Sequence, residues 1–128
     1  MDPIANMLVR IKNAQGAGHE MVEVPFSNVK MAIAKILGER GFVGKVEKKG
    51  MKAKEKLEIN LKYDQGAGAI LGIKRISKPG QRSYAPSQKI RSVRQGYGLA
   101  IISTSQGIMS DKDAKKKRIG GEILCEIW

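Results

Sequence analysis

The chain has 128 residues, 41% of them apolar, enough for one compact domain or two very small ones and an argument against intrinsic disorder. Its 24 Lys and Arg against 12 Asp and Glu give a formal net charge of +12, which favours polyanions through counterion release, so nucleic acid leads the partner classes. No run reaches the ~18 apolar residues of a membrane span. Met1-Asp2-Pro3 does not read as a leader, and one Cys with one His makes neither a disulfide nor a zinc cluster. A soluble, cytoplasmic protein with no membrane, metal, cofactor or small-molecule substrate is expected.

Asp2-Pro3 opens a helix, since Asp can cap free amides and Pro at the first helical position loses no hydrogen bond. Ile4, Met7, Leu8, Ile11 and Ala14 give it one apolar face, and Gln15-Gly16-Ala17-Gly18 ends it. Met21, Val22, Val24 and Pro25 suggest a short strand. Ser27 caps a second helix with Val29, Ile33, Ile36 and Leu37 on one stripe. Gly41 fits a left-handed helix terminus with Phe42 as the apolar contact beyond it. A strand from Phe42 to Val46 leads into a basic hairpin loop, Lys48 to Lys54, that reads equally as a solvated loop or an RNA contact. Leu57, Ile59, Leu61 and Tyr63 alternate with polar residues as a half-buried strand.

Gly66-Ala67-Gly68 is poor helix or strand material and marks a boundary between residues 1–65 and 66–128. Beyond it come a strand from Ile70 to Ile76, the turn Lys78-Pro79-Gly80, a loop from Tyr84 to Gly96 and the buried strand Leu99 to Ile102. Ser110 caps a short helix with Asp111 and Asp113 in its first turn and Lys115 to Arg118 near its end, charges that suit the helix dipole. Gly120-Gly121 opens a last strand, Glu122 to Trp128. The expected architecture is α/β: two small α+β domains, the first helix-strand-helix-strand-strand, the second mostly strand with a short helix.

The chemistry concentrates in Ser103-Thr104-Ser105-Gln106-Gly107, read as a loop joining the buried strand to the helix start. Hydroxyls at strand ends commonly bond their own backbone. In a basic chain they also suit ribose, phosphate and base edges, and Gly107, Gly120 and Gly121 expose backbone. Residues 65–128 hold 12 basic and 4 acidic residues, so this half should carry most of the binding. Arg82, Lys112, Lys115 and Lys116 are candidate phosphate contacts, with a solvated face as the plainer reading.

Ser103 to Asp111, then Ala114, then Gly120-Gly121-Glu122-Ile123-Leu124-Cys125 closely resembles the C-terminal signature of the bacterial small-subunit ribosomal protein number eight family. Asp2 to Leu8 with Arg10-Ile11-Lys12-Asn13, and Lys78-Pro79-Gly80 with Arg82 and Tyr84, resemble that family's first helix and central turn, so the likeness spans the chain. Gln81 and Tyr97 depart from its usual residues. The resemblance implies a two-domain protein that binds the central domain of 16S rRNA, touches neighbouring small-subunit proteins and helps assemble the subunit. It makes Ser103, Thr104, Ser105 and Gln106 the main RNA contact, packs Tyr84 on an exposed ribose or base, and places Glu122 beside the RNA-binding loop, where a carboxylate either accepts hydrogen bonds from base amino groups or, the favoured role, holds the hydroxyl loop in place.

A regulator that binds its own mRNA through the same surface is the alternative. An enzyme with Ser103 or Ser105 as nucleophile lacks a partner base, because the one histidine is His19 and no Ser-x-x-Lys pattern follows. Cys125 alternates with Ile123 and Ile127 and reads as a buried structural thiol. Trp128 closes the core or meets a neighbouring protein.

Overall fold

The computed structural model describes residues 2–128. They form two compact units, Pro3–Ile70 and Leu71–Trp128 together with Asp2. Both helices of three or more turns lie in the first unit, and strand outweighs helix in the second, the α+β architecture expected.

The first unit runs α1 (Pro3–Gly16), β1 (Met21–Pro25), α2 (Asn28–Glu39), β2 (Val43–Lys49) and β3 (Lys56–Leu61), followed by the short strands β4 (Tyr63–Asp64) and β5 (Ala67–Gly68). Helical spacing puts Met7, Leu8, Ile11 and Ala14 of α1 in the core. Ser27 caps α2 by accepting the Lys30 amide at 3.1 Å. At the other end Phe42 N donates to Leu37 O (2.9 Å) and Gly41 N to Gly38 O (3.1 Å), with Gly41 at φ +79°; this double closure needs a residue free to turn left-handed. The buried stripe of α2 is Ile33, Ala34 and Leu37, while Val29 in the first turn stays exposed.

Antiparallel β1-β3-β2 make one sheet with β3 central. Period-two alternation sends Val24, Leu57 and Ile59 into the core and aligns Glu23, Glu58 and Glu47 in one row on the opposite face. Like charges directly opposite one another destabilise a sheet. Here Lys56 bonds Glu23 (3.3 Å), and Lys45 (3.1 Å) and Lys49 (3.3 Å) flank Glu47, holding its carboxyl below the usual range. The basic hairpin of the sequence reading is thus partly neutralised at its base: Lys48 pairs with Glu55 at 2.5 Å and lies 4.3 Å over the Phe26 ring. Lys52 and Lys54 remain exposed.

The Gly66–Gly68 stretch is not a break but a hairpin. Gln65 (φ +52°) and Gly66 (φ +83°) turn the chain so that Tyr63 pairs with Gly68 and Asp64 with Ala67. A side chain on Gly68 would overlap the Gln15 side chain, which is buried and holds the following segment: its Nε2 donates to Ile70 O at 2.7 Å and its Oε1 accepts Ile70 N at 3.0 Å. The first unit therefore keeps the chain as far as Ile70.

The second unit contains β6 (Ile73–Arg75), β7 (Tyr84–Ala85), β8 (Leu99–Thr104), β9 (Gly107–Ser110), α3 (Asp111–Lys116) and β10 (Gly121–Ile127). Its antiparallel sheet is ordered β6-β10-β8-β9, with β7 pairing the start of β10. Where a strand was expected from Ile70 to Ile76, only Ile73–Arg75 is regular. Leu71 and Gly72 instead donate their amides to Trp128 O, and the bare Gly72 leaves room for the Trp128 indole. The expected loop after Tyr84 begins with a strand, β7.

Ile90, Val93, Ala100, Ile102, Met109 and Ala114 form a core cluster between α3 and the sheet, and Ala85, Ile119, Ile123 and Trp128 pack against it. The register of β10 on β8 shifts between Ile123 and Cys125, a bulge at Leu124 whose carbonyl accepts from Arg75 Nη1. Cys125 consequently pairs with Ile101, on the face opposite Ile123, which corrects the simple Ile123-Cys125-Ile127 alternation. Leu99, Ile101, Cys125 and Ile127 are themselves fully buried.

Gln15→Ala should destabilise the protein by about 1–3 kcal/mol, because it strands the buried Ile70 N–H and leaves the Ile70 carbonyl only the longer bond from Lys12 Nζ at 3.4 Å. Urea unfolding followed by circular dichroism measures it, and a loss below a few tenths contradicts the role assigned to Gln15.

Candidate nucleic-acid interface

Residues directly opposite in an antiparallel pair share a face. Tyr84 pairs with Glu122, Glu122 with Ser103, and Ser103 with Ile108, so these four make one row across β7, β10, β8 and β9. Their neighbours Ala85, Ile123, Ile102 and Met109 point into the core cluster. The row therefore lies on the face turned away from α3. Tyr84 is 70% exposed, and Ser103 and Glu122 are half-buried.

At the end of this row the chain reverses. The run after Ser103 is the tip of the β8–β9 hairpin, with Thr104 paired to Gly107, rather than a loop leading straight to a helix; Ile108 and Met109 are strand residues and the helix begins only after Ser110. Gly107 at φ +111° takes the left-handed conformation that closes the turn. Thr104 Oγ1 donates to Gly107 O at 2.8 Å and accepts Gln106 N at 3.0 Å, a turn held by its own hydroxyl. Of the three hydroxyl residues, Thr104 thus has a structural task. Ser105 and Gln106 stand exposed at the tip.

Gly120 and Gly121 act through packing. A Cβ on Gly121 would overlap the Ser103 carbonyl, and one on Gly120 the Ala85 carbonyl and Pro86 Cα. Two bare residues let β10 enter between β7 and β8 and bring Tyr84, Glu122 and Ser103 into line.

Glu122 is held from the other side. Ser77 Oγ donates to its Oε2, Arg82 Nη1 donates to the same oxygen at 3.1 Å, and Ser77 Oγ also accepts Ser83 N at 3.1 Å. Ser77 is fully buried. Sequence reasoning did not single it out, and the one signal there is a small hydroxyl ahead of the Lys78-Pro79-Gly80 turn. The sequence singles out Arg82 and Glu122 separately and carries no local sign of their pairing.

The lysines of α3 belong elsewhere. Ala114 on that helix packs into the cluster with Ile102 and Met109, so Lys112, Lys115 and Lys116 ride on the face opposite the row. Lys115 Nζ donates to Ser92 Oγ at 3.3 Å, while Lys112 and Lys116 are exposed. Ser110 caps the helix as expected, accepting Asp113 N at 3.2 Å, and Asp111 accepts the Ala100 amide at 3.2 Å.

A family model for ribosomal protein S8 matches residues 2–128. The chain belongs to the ribosomal protein S8 family. Proteins named small ribosomal subunit protein uS8 resemble it over nearly their whole length. That of Caldicellulosiruptor bescii is 50% identical, with 100% of this chain and 98% of the relative aligned. That of Mycoplasmopsis pulmonis is 49% identical (99% and 96%), and that of Clostridium novyi 49% identical (99% and 97%). Membership makes this a ribosomal protein and not an enzyme. Gln81 and Tyr97 are both exposed and lie outside the row and the hairpin tip.

No group of three or more metal-ligating side chains comes together among the described residues, and none of their helices is long and apolar enough to cross a membrane. Burial pushes the Cys125 thiol up from 9.0 to about 12. Since the unfolded chain releases this proton first, stability should be flat in this group up to about pH 9 and fall as pH rises toward about 12. Ellman's reagent at pH 8 should label no thiol in the native protein and one in denaturant.

Ser77→Ala should cost about 1–3 kcal/mol of stability, since the Ser83 amide and the Glu122 carboxylate both lose a partner. Thermal melts of the variant and parent check it.

Proposed function

We propose that the chain binds the central domain of 16S rRNA directly, as a structural component of the small ribosomal subunit, and helps that subunit assemble beside neighbouring ribosomal proteins in the cytoplasm. The observation that carries this reading is the in-register row Tyr84–Glu122–Ser103 ending at the open hairpin tip Ser105–Gln106, within the half that holds a surplus of eight positive charges.

Each part has a task. Tyr84 supplies an exposed ring on which a base or ribose can pack. Ser103, Ser105 and Gln106 offer donors and acceptors to ribose hydroxyls, phosphates and base edges. Exposed Lys112 and Lys116, with Lys115, add phosphate attraction from the α3 side, which raises affinity without carrying sequence information. Glu122 draws Arg82 toward the row and offsets part of its own repulsion for phosphate.

Filter binding to a 16S central-domain fragment tests the proposal. Affinity should fall linearly with log salt, each neutralised phosphate adding about 0.7–0.9 to the slope. Tyr84→Ala should weaken binding by about 1–3 kcal/mol if a base stacks there. Ser105→Ala should also weaken it while leaving the melting temperature unchanged. Equal affinity for an unrelated hairpin sinks the claim of specific recognition.

A further inference from the structure

We propose that the end of β10 carries a docking surface for a protein segment in which acidic residues flank an apolar side chain, supplied by a neighbouring protein of the small subunit. The inference rests on the reading as a ribosomal component and adds which surface meets protein and what that protein presents.

Three distant segments converge there. The amides of Leu71 and Gly72 donate to Trp128 O (2.7 and 3.0 Å), and Trp128 N donates back to Gly72 O at 3.0 Å. A side chain on Gly98 would overlap that of Val93 and crowd Ile127 O, so the turn from Val93 to Gly98 lies against the same strand end. From that turn Arg94 sets its guanidinium 4.3 Å from the centre of the Trp128 ring. Leu71 and Tyr97, on either side, are 74% and 86% exposed, two of the three most exposed large hydrophobic side chains among the described residues. Apolar residues exposed singly are ordinary, but two of them flanking an indole and an arginine mark a contact surface.

The surface is built in advance. Arg94 (φ +49°) and Gln95 (φ +57°) take left-handed conformations that cost an ordinary residue energy, and Gly96 follows at φ +95°. Gly96 N and Gly98 N both donate to Val93 O at 3.0 Å, Tyr97 N donates to Arg94 O at 3.1 Å, and Val93 is itself buried. Tyr97 therefore stands on a fixed backbone. A partner that covers it has less chain to order.

Composition and charge choose the occupant. Tyr, Trp and Arg are the side chains that anchor protein interfaces. A base would need a free aromatic face, yet the Trp128 ring carries Arg94 and packs on Gly72 and the core cluster. Leu71 gains only by leaving water against another apolar group. From Leu71 to Ser110 the chain has seven Lys and Arg and no Asp or Glu, and Glu126, two positions before the indole, stands opposite Lys74. The complementary partner is acidic around an apolar centre. Trp128 is six positions beyond Glu122, about 20 Å at the rise of a strand, so a protein docked here leaves the polar row open.

The test uses the full chain with the photoreactive analogue benzoylphenylalanine in place of Tyr97 or, in a second preparation, of Leu71. Each is built into small subunits reconstituted from 16S rRNA and the remaining ribosomal proteins, irradiated, and its adducts mapped by mass spectrometry. Both positions should label one protein segment in which Asp or Glu flanks an apolar residue. In a competition, equal amounts of the unaltered chain and the Leu71→Ser, Tyr97→Ser double variant should yield subunits about tenfold richer in the unaltered chain, the size of one interface anchor. Both chains should bind the 16S central-domain fragment equally. If the double variant melts below the parent, Tyr97→Ser alone should still lose the competition several-fold. Adducts on rRNA, on a second copy of the chain or on a protein segment without acidic residues overturn the inference, as do the absence of any protein adduct and equal incorporation. A chain that neither binds the 16S fragment nor enters the subunit overturns the underlying reading, and this one with it.

Discussion

The close approach of β10 to its two neighbours is the constraint on which the second unit turns. Gly121 lies against the Ser103 carbonyl and Gly120 against that of Ala85, distances that any side chain would forbid. Because those contacts are met, β10 stands between β7 and β8, and pairing then aligns Tyr84, Glu122 and Ser103 without further specification. A row of side chains assembled from three distant segments is thus set by main-chain hydrogen bonds, which are short-ranged and directional. Side chains at its centre need only be of the right type.

Electrostatics divides the labour differently. The row itself carries Glu122 and Arg82, which largely cancel, while the exposed lysines of α3 lie on the other face of the sheet. The polar row and the exposed lysines of α3 therefore occupy separate surfaces. In the first unit the same restraint appears as a ladder of glutamates flanked by lysines, a solvent face that is highly charged yet locally balanced.

Much of this was legible in the chain. Apolar spacing located α1 and α2, Ser27 and Ser110 marked the starts of α2 and α3, and Gly41 with Phe42 marked a helix end, because each rests on interactions among neighbours within five residues. What stayed hidden depends on distant partners. Local pattern cannot show that Tyr84–Ala85 joins a sheet through Gly120 and Gly121, that Gln65-Gly66 makes a hairpin where glycine density suggests a linker, or that Ser77 anchors Glu122 across 45 positions. The hydroxyl run was found by residue type, but its geometry was not. As a tight turn between paired strands it commits Thr104 to its own backbone and presents Ser105 and Gln106.

The bulge at Leu124 has a consequence for how this strand tolerates change. Upstream of it Glu122 faces the open row and Ile123 the core cluster; downstream, Cys125 and Ile127 share the buried face with Ile101 and Leu99. The extra residue keeps Glu122 and Cys125, three positions apart, on one face of the sheet, that of Ser103 and Ile101. Loss of the Leu124 codon would leave Ile123 opposite Ile102 and Cys125 opposite Ile101, a regular ladder in which both halves keep their faces and only the Leu124 side chain and the carbonyl that accepts from Arg75 are lost. Leu124 is thus a position whose removal keeps the flanking side chains on their own faces.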